Sequence, residues 1–131
     1  MLPSESKILI VDDFETVLIM LKNALEGLGY TNIDRAPNGK VALEMLRKAN
    51  EEKAPYSVIL TDWNMPILSG LDLIKICQGD ANLKNIPIIM ITAEAEQKQV
   101  MEAMEAGAIG YITKPVSSEE LRTKLQEIGK I

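Results

Sequence analysis

At 131 residues, with 47% hydrophobic and 25% charged residues and a net charge of −5, the chain reads as one globular domain rather than a disordered one. The acidic balance, with no Lys/Arg cluster, argues against nucleic-acid binding, and the longest apolar run, Val17 to Leu21, falls far short of the ~20 residues a membrane span needs. Histidine is absent and Cys77 is the single cysteine, which excludes Ser-His-Asp and Cys-His catalysis, internal disulfides and His- or multi-Cys-ligated zinc.

In chain order, residues 1–6 show no charged and apolar leader pattern, and are expected to be a flexible segment on a cytoplasmic, monomeric domain spanning 1–131. Lys7 to Asp12 reads as a buried strand. Glu15 to Gly27 reads as a helix with Val17, Met20, Leu21, Ala24, Leu25 and Leu28 on its core face, stopped by Gly29. A weaker strand at Asn32–Ala36 and a helix through Val41 to Ala49 follow, then a loop over 50–55. Ser57 to Asp62 is a strongly apolar strand, and Ser69-Gly70 turns the chain into a helix through Ile74 and Cys77. Cys77 there reads as a small buried hydrophobe. Ile86 to Thr92 is the fourth strand, with its proline at the edge. A helix from about Glu94 to Ala106 ends at Gly107, and Ile109 to Thr113 is the fifth strand. Ser117 and Glu120 form a capping box for a last helix carrying Leu121, Leu125 and Ile128.

Near-continuous apolar strands alternating with helices predict an α/β fold, a parallel sheet covered on both faces. In such sheets ligands bind at the carboxyl ends of the strands. The predicted strand ends carry Asp12-Asp13, Asp62, Thr92 and, just after the fifth, Lys114. Three converging carboxylates repel one another, and a hard divalent cation such as Mg²⁺ relieves that repulsion while leaving room for phosphate oxygens. A carboxylate beside a metal, an ammonium and a hydroxyl suits phosphoryl transfer. Strand-end aspartates also make good helix caps and turn formers; for Asp13 taken alone the two readings weigh equally.

Val11-Asp12-Asp13-Phe14, Asp62-Trp63-Asn64-Met65-Pro66, Thr92-Ala93-Glu94-Ala95, Gly110-Tyr111 and Lys114-Pro115, in that order, resemble the signature of response-regulator receiver domains. The pattern is similar above all to single-domain chemotaxis regulators of the CheY type, and covers the chain from Lys7 to its end. The resemblance implies a flavodoxin-like (βα)5 fold with strand order 2-1-3-4-5. It implies Asp62 as phosphoacceptor; Asp12, Asp13, Asp62 and the Asn64 carbonyl as the Mg²⁺ site; and Lys114 as partner of a phosphoryl oxygen. Thr92 and Tyr111 would be the moving switch, acting on a surface made by the fourth helix, fifth strand and fifth helix. Asn64 and Glu94 would set the phosphoryl lifetime, here a short one. The Lys114-Pro115 bond resembles the family's cis peptide, against a trans default. The donor would be a histidine kinase or histidine phosphotransfer protein, and the target a flagellar switch or a relay protein.

The chain departs from chemotaxis regulators at several positions. Leu18 and Ile19 stand where basic residues are common; a helical register pointing both away from the core makes them a docking patch, and local packing is the alternative. Glu96 and Gln97 replace basic residues on the expected output face, Val116 replaces a phenylalanine, and Lys124 is retained. A small Mg²⁺-dependent phosphohydrolase acting through an aspartyl-phosphate is the alternative function. Asn64 stands where such enzymes carry a second acid, so a switch rather than a turnover enzyme is expected.

Overall fold

The computed structural model describes residues 2–93 and 97–128, Gln97 by its backbone alone. Five strands, β1 (Ile8–Val11), β2 (Ile33–Ala36), β3 (Val58–Asp62), β4 (Ile88–Thr92) and β5 (Gly110–Thr113), alternate with five helices. The helices are α1 (Glu15–Gly27), α2 (Gly39–Glu51), α3 (Gly70–Gln78), α4 (Gln97–Ala106) and α5 (Ser118–Ile128). All strand pairs are parallel, in the order β2-β1-β3-β4-β5. Every expected element is present, in the flavodoxin-like order.

Strand alternation divides the interior into two cores. Ile8, Ile10, Val58, Leu60, Ile89, Ile91 and Ile112 point to one face, where Leu18, Leu21, Leu25, Leu121, Leu125 and Ile128 of α1 and α5 cover them. Leu9, Val11, Ile59, Ile88 and Met90 point to the other, under Ala42, Leu46, Leu73, Ile74, Cys77 and Ala103 of α2, α3 and α4. The opening segment lies along the first face: Leu2 packs there, and the Tyr30 hydroxyl donates to the Leu2 carbonyl at 2.9 Å.

The starts of α2, α3 and α5 follow from their caps. Asn38 Oδ1 accepts the Val41 N–H at 2.9 Å, so α2 begins two residues before Val41. Ser69 Oγ takes the Asp72 N–H at 3.1 Å, and Ser117 Oγ takes that of Glu120 at 3.1 Å. Pro87 stands outside β4, yet its carbonyl accepts the Ile59 N–H at 3.0 Å and so extends the ladder without a donor of its own. Gly107, at φ 124°, closes α4 in a conformation L-residues rarely adopt.

The phase of α1 differs from expectation. Leu18 is 7% exposed and belongs to the core, whereas Ile19 is 44% and Met20 57% exposed. Leu18 therefore leaves the expected docking patch, Met20 leaves the expected core face, and the outward apolar pair is Ile19 with Met20. The buried stripe is Leu18, Leu21 and Leu25, at the i, i+3, i+7 spacing of one helix face.

Cys77 sits in the second core, where burial, and next the nearby Asp80 charge, push its thiol up to about 11 despite the opposing charge of Arg47. Thiolate is the reactive form, so native protein at pH 8 should consume an aromatic disulfide reagent only on the timescale of unfolding, then release one equivalent at once in denaturant. Rapid native labelling would show that Cys77 is accessible.

Candidate functional site

The strand order reverses between β1 and β3, because β2 lies on one side of β1 and β3, β4, β5 on the other. The carboxyl ends of these two strands diverge into loops on opposite faces and leave a crevice. Asp12 and Asp13 follow β1, and Asp62 ends β3. One carboxylate oxygen from each of the three lies within 4.8 Å of the others. Asp12 is 1% and Asp62 6% exposed, while Asp13 faces solvent. The sequence-derived triad is thus assembled in space, with its two inner members in a low-dielectric setting.

Lys114 reaches this crevice from the end of β5. Its Nζ lies 2.9 Å from Asp12 Oδ2 and 3.4 Å from Asp62 Oδ1, bridging the two buried acids. The Lys114 N–H donates to the Thr92 carbonyl at 2.8 Å, fixing β5 against β4 where the side chain departs. The Lys114–Pro115 bond is cis. Burial works against the Lys114 ammonium, but the hydrogen bond to Asp12 and the charges of Asp62 and Asp12 outweigh it and raise its pKa.

Asp62 carries the opposite imbalance. Desolvation, and then repulsion from Asp12, raise its pKa above the ordinary carboxylate value, and Lys114 with the Trp63 N–H offsets this only in part. That N–H donates to Asp62 Oδ1 at 2.9 Å, and Asp12 Oδ1 is held in the same way by the Phe14 N–H at 3.0 Å. One ammonium is therefore set against three carboxylates. An all-oxygen donor set with surplus negative charge, part of it open to solvent through Asp13, fits a hard divalent cation that retains water ligands. Asp12, Asp13 and Asp62 are the residues that could hold Mg²⁺. Asn64 is exposed on the loop after β3, two residues beyond Asp62.

Thr92 is buried at the end of β4, one strand from Asp62, and Tyr111 is exposed on the adjoining β5. Lys124 of α5 packs near Gly110 and pairs with Glu127 at 3.9 Å. Glu94 and Glu96 lie outside the described residues, as does the side chain of Gln97. Val116 is half-buried against the α1/α5 core.

Three features of the site were not singled out from the sequence. Gly70 is one: its N–H donates to the Trp63 carbonyl at 2.9 Å, and a Cβ there would collide with the Asp62 carbonyl oxygen. The Ser-Gly pair signalled a turn but not this close approach. The second is Phe14, 61% exposed beside Asp12. The third is an apolar groove of about 370 Å³ next to the crevice, lined by Val17, Met20 and Leu21 of α1 and by Lys114, Pro115 and Val116. Its signal was available in the apolar run of α1, but only with the correct helical phase.

Residues 8–126 match the response regulator receiver domain family. The chain is 46% identical over 122 residues to the chemotaxis protein CheY-3 of Vibrio cholerae, covering 93% of this chain and 90% of that one. Among solved structures it resembles the chemotaxis response regulator CheY4 of Vibrio cholerae, with a TM-score of 0.83 and 31% identity over 95% of this chain and 98% of that one. It also resembles the receiver domain of a Pseudomonas aeruginosa sensor histidine kinase, described with a magnesium ion coordinated in its active-site cleft. That likeness has a TM-score of 0.80 and 29% identity, over 95% of this chain and 98% of that one.

Proposed function

The chain belongs to the response regulator receiver domain family, and we propose that it is a cytoplasmic, chemotaxis-type phosphorylation switch charged on Asp62 from a histidine-bearing protein. The observation that carries this reading is the Lys114 ammonium bridging Asp12 and Asp62 at the sheet's switch point, with Asp13 opening the same cluster to solvent. In the transfer step an Asp62 carboxylate oxygen forms a bond to phosphorus as the phosphorus–nitrogen bond of the donor's phosphohistidine breaks, its electron pair leaving with the imidazole. Bound Mg²⁺, held by Asp12, Asp13, Asp62 and the Asn64 carbonyl, would neutralise charge on the phosphoryl oxygens. Lys114 then exchanges part of its pairing with Asp62 for a phosphoryl oxygen. Water later hydrolyses the acyl phosphate, with Asn64 and Glu94 setting the rate, and Asp62 is restored.

These 131 residues contain no histidine, so the phosphoryl group is proposed to come from a histidine outside them. Exposed Phe14, Ile19 and Met20, with the groove between α1 and Pro115-Val116 that Lys114 also lines, are proposed as the donor's docking face. The output face is proposed as α4, β5 and α5, read through Thr92 and Tyr111, with Lys124 at its edge. The target is a protein, a flagellar switch or a relay partner, which a pull-down with and without beryllofluoride would identify.

Trp63 reports on the whole proposal, because its backbone donates to Asp62 and accepts from Gly70. Its emission should change on adding Mg²⁺ and again on adding beryllofluoride, an acyl-phosphate mimic. Silence to both ligands would refute the receiver reading, and repeated turnover of a phosphate ester would convert it to a hydrolase.

A further inference from the structure

A second cleft, of about 300 Å³, opens from the metal-ligand cluster toward the β2 edge of the sheet. It is lined by Asp12, Asp13, Glu15, Leu18, Arg35 and Pro37. Two of these side chains carry charge that the proposed chemistry does not use. Glu15 begins α1 and is exposed, and Arg35 is an exposed residue of β2 whose Cα lies opposite Ile10 of β1. Among the described residues Arg35 has no carboxylate within 4.0 Å, although three acids line the cleft it shares. Among the described residues no ion pair engages the guanidinium, and it lines the same cleft as Asp12 and Asp13, which in the proposed function serve first a cation and then an anion.

We infer that Glu15 and Arg35 are two outer charges of opposite sign that set the balance between metal and phosphoryl occupancy of the Asp62 crevice. This rests on the proposed receiver function and concerns residues outside its ligand set. A charge a few ångströms beyond a ligand shell acts through its field, and one charge must act in opposite senses on ligands of opposite sign. Arg35 therefore weakens Mg²⁺ binding and strengthens binding of the anionic phosphoryl group that follows. Glu15 does the reverse. Arg35 thereby keeps the metal exchangeable while favouring the phosphorylated state over the merely metallated one, and Glu15 limits that bias.

The probes are Mg²⁺ alone and then beryllofluoride at saturating Mg²⁺, each titrated by Trp63 emission and by calorimetry at low ionic strength. Arg35→Gln should tighten Mg²⁺ and weaken beryllofluoride, each by about threefold; Glu15→Gln should weaken Mg²⁺ and tighten beryllofluoride by a similar factor. The double variant should return close to wild type. All shifts should shrink toward unity at ~1 M salt, where the screening length falls to about 3 Å. Thermal midpoints without ligand check that these exposed replacements leave the fold intact. Shifts of the same sign for both ligands, shifts insensitive to salt, or no shift at low salt would overturn the inference while leaving the receiver reading standing. Wild-type protein that binds neither probe would overturn both.

Discussion

The Gly70→Ala protein should be destabilised by about 3 kcal/mol, with a thermal midpoint lowered by roughly 10 °C, and its response to beryllofluoride should weaken with it. The added methyl has nowhere to go. It would overlap the Asp62 carbonyl oxygen, which is main chain at the end of a central strand, and the Met90 Sδ lies at 3.2 Å behind it. Moving Met90 alone gives no relief, so the β3–α3 loop must withdraw. That movement stretches the 2.9 Å bond from the Gly70 N–H to the Trp63 carbonyl and shifts the Trp63 N–H that holds Asp62 Oδ1. Stability and site geometry therefore fall together. Denaturant unfolding with Mg²⁺ chelated, beside a beryllofluoride titration, separates the two losses. A variant of wild-type stability would mean that the approach of α3 to β3 is looser than the backbone indicates.

Gly70 also illustrates what a sequence encodes only jointly with its fold. The strands were legible because runs such as Ile8 to Val11 and Ile88 to Ile91 are apolar on both alternating faces, a pattern that only a doubly covered sheet requires. The acids were legible because they stand at the ends of those runs, where the architecture puts ligands. Helix phase was not. Val17 to Leu21 is apolar for more than a full turn, so hydrophobicity cannot choose which residues face inward; packing of α1 on α5 and the sheet selects Leu18, Leu21 and Leu25 and leaves Ile19 and Met20 outside. Arg35 and Glu15 were illegible for a related reason. They lie twenty residues apart in the chain, and only the pairing of β1 with β2 brings them to one cleft.

Asp62→Asn should abolish phosphoryl incorporation, by more than about 1,000-fold with a small acyl-phosphate donor, and should at the same time make the metal-free protein more stable. The first effect follows because the amide is a far weaker nucleophile than the carboxylate it replaces. The second follows from the electrostatics of the site. Burial and Asp12 together raise the Asp62 pKa more than Lys114 and the Trp63 N–H lower it, so ionised Asp62 costs the fold stability at neutral pH. For a carboxyl whose folded pKa is raised, the folded state binds the proton more tightly than the unfolded chain does. Its contribution to stability is full below the unfolded value near 3.8 and is lost as pH rises through the higher folded value. The amide removes that loss, and Lys114 keeps its 2.9 Å pairing with Asp12. Adding Mg²⁺ should reverse the ranking. At 100 times its Kd the metal would stabilise wild type by about 2.7 kcal/mol, whereas the variant, short of one carboxylate charge, should gain less. Unfolding of both proteins across the acid range in chelator, then at neutral pH with Mg²⁺, tests each step. If the amide variant is less stable than wild type in chelator, Asp62 is held by its partners more strongly than burial and Asp12 oppose it. If instead the two curves cross on adding Mg²⁺, the stability that the carboxylate takes from the empty fold is returned when the metal binds.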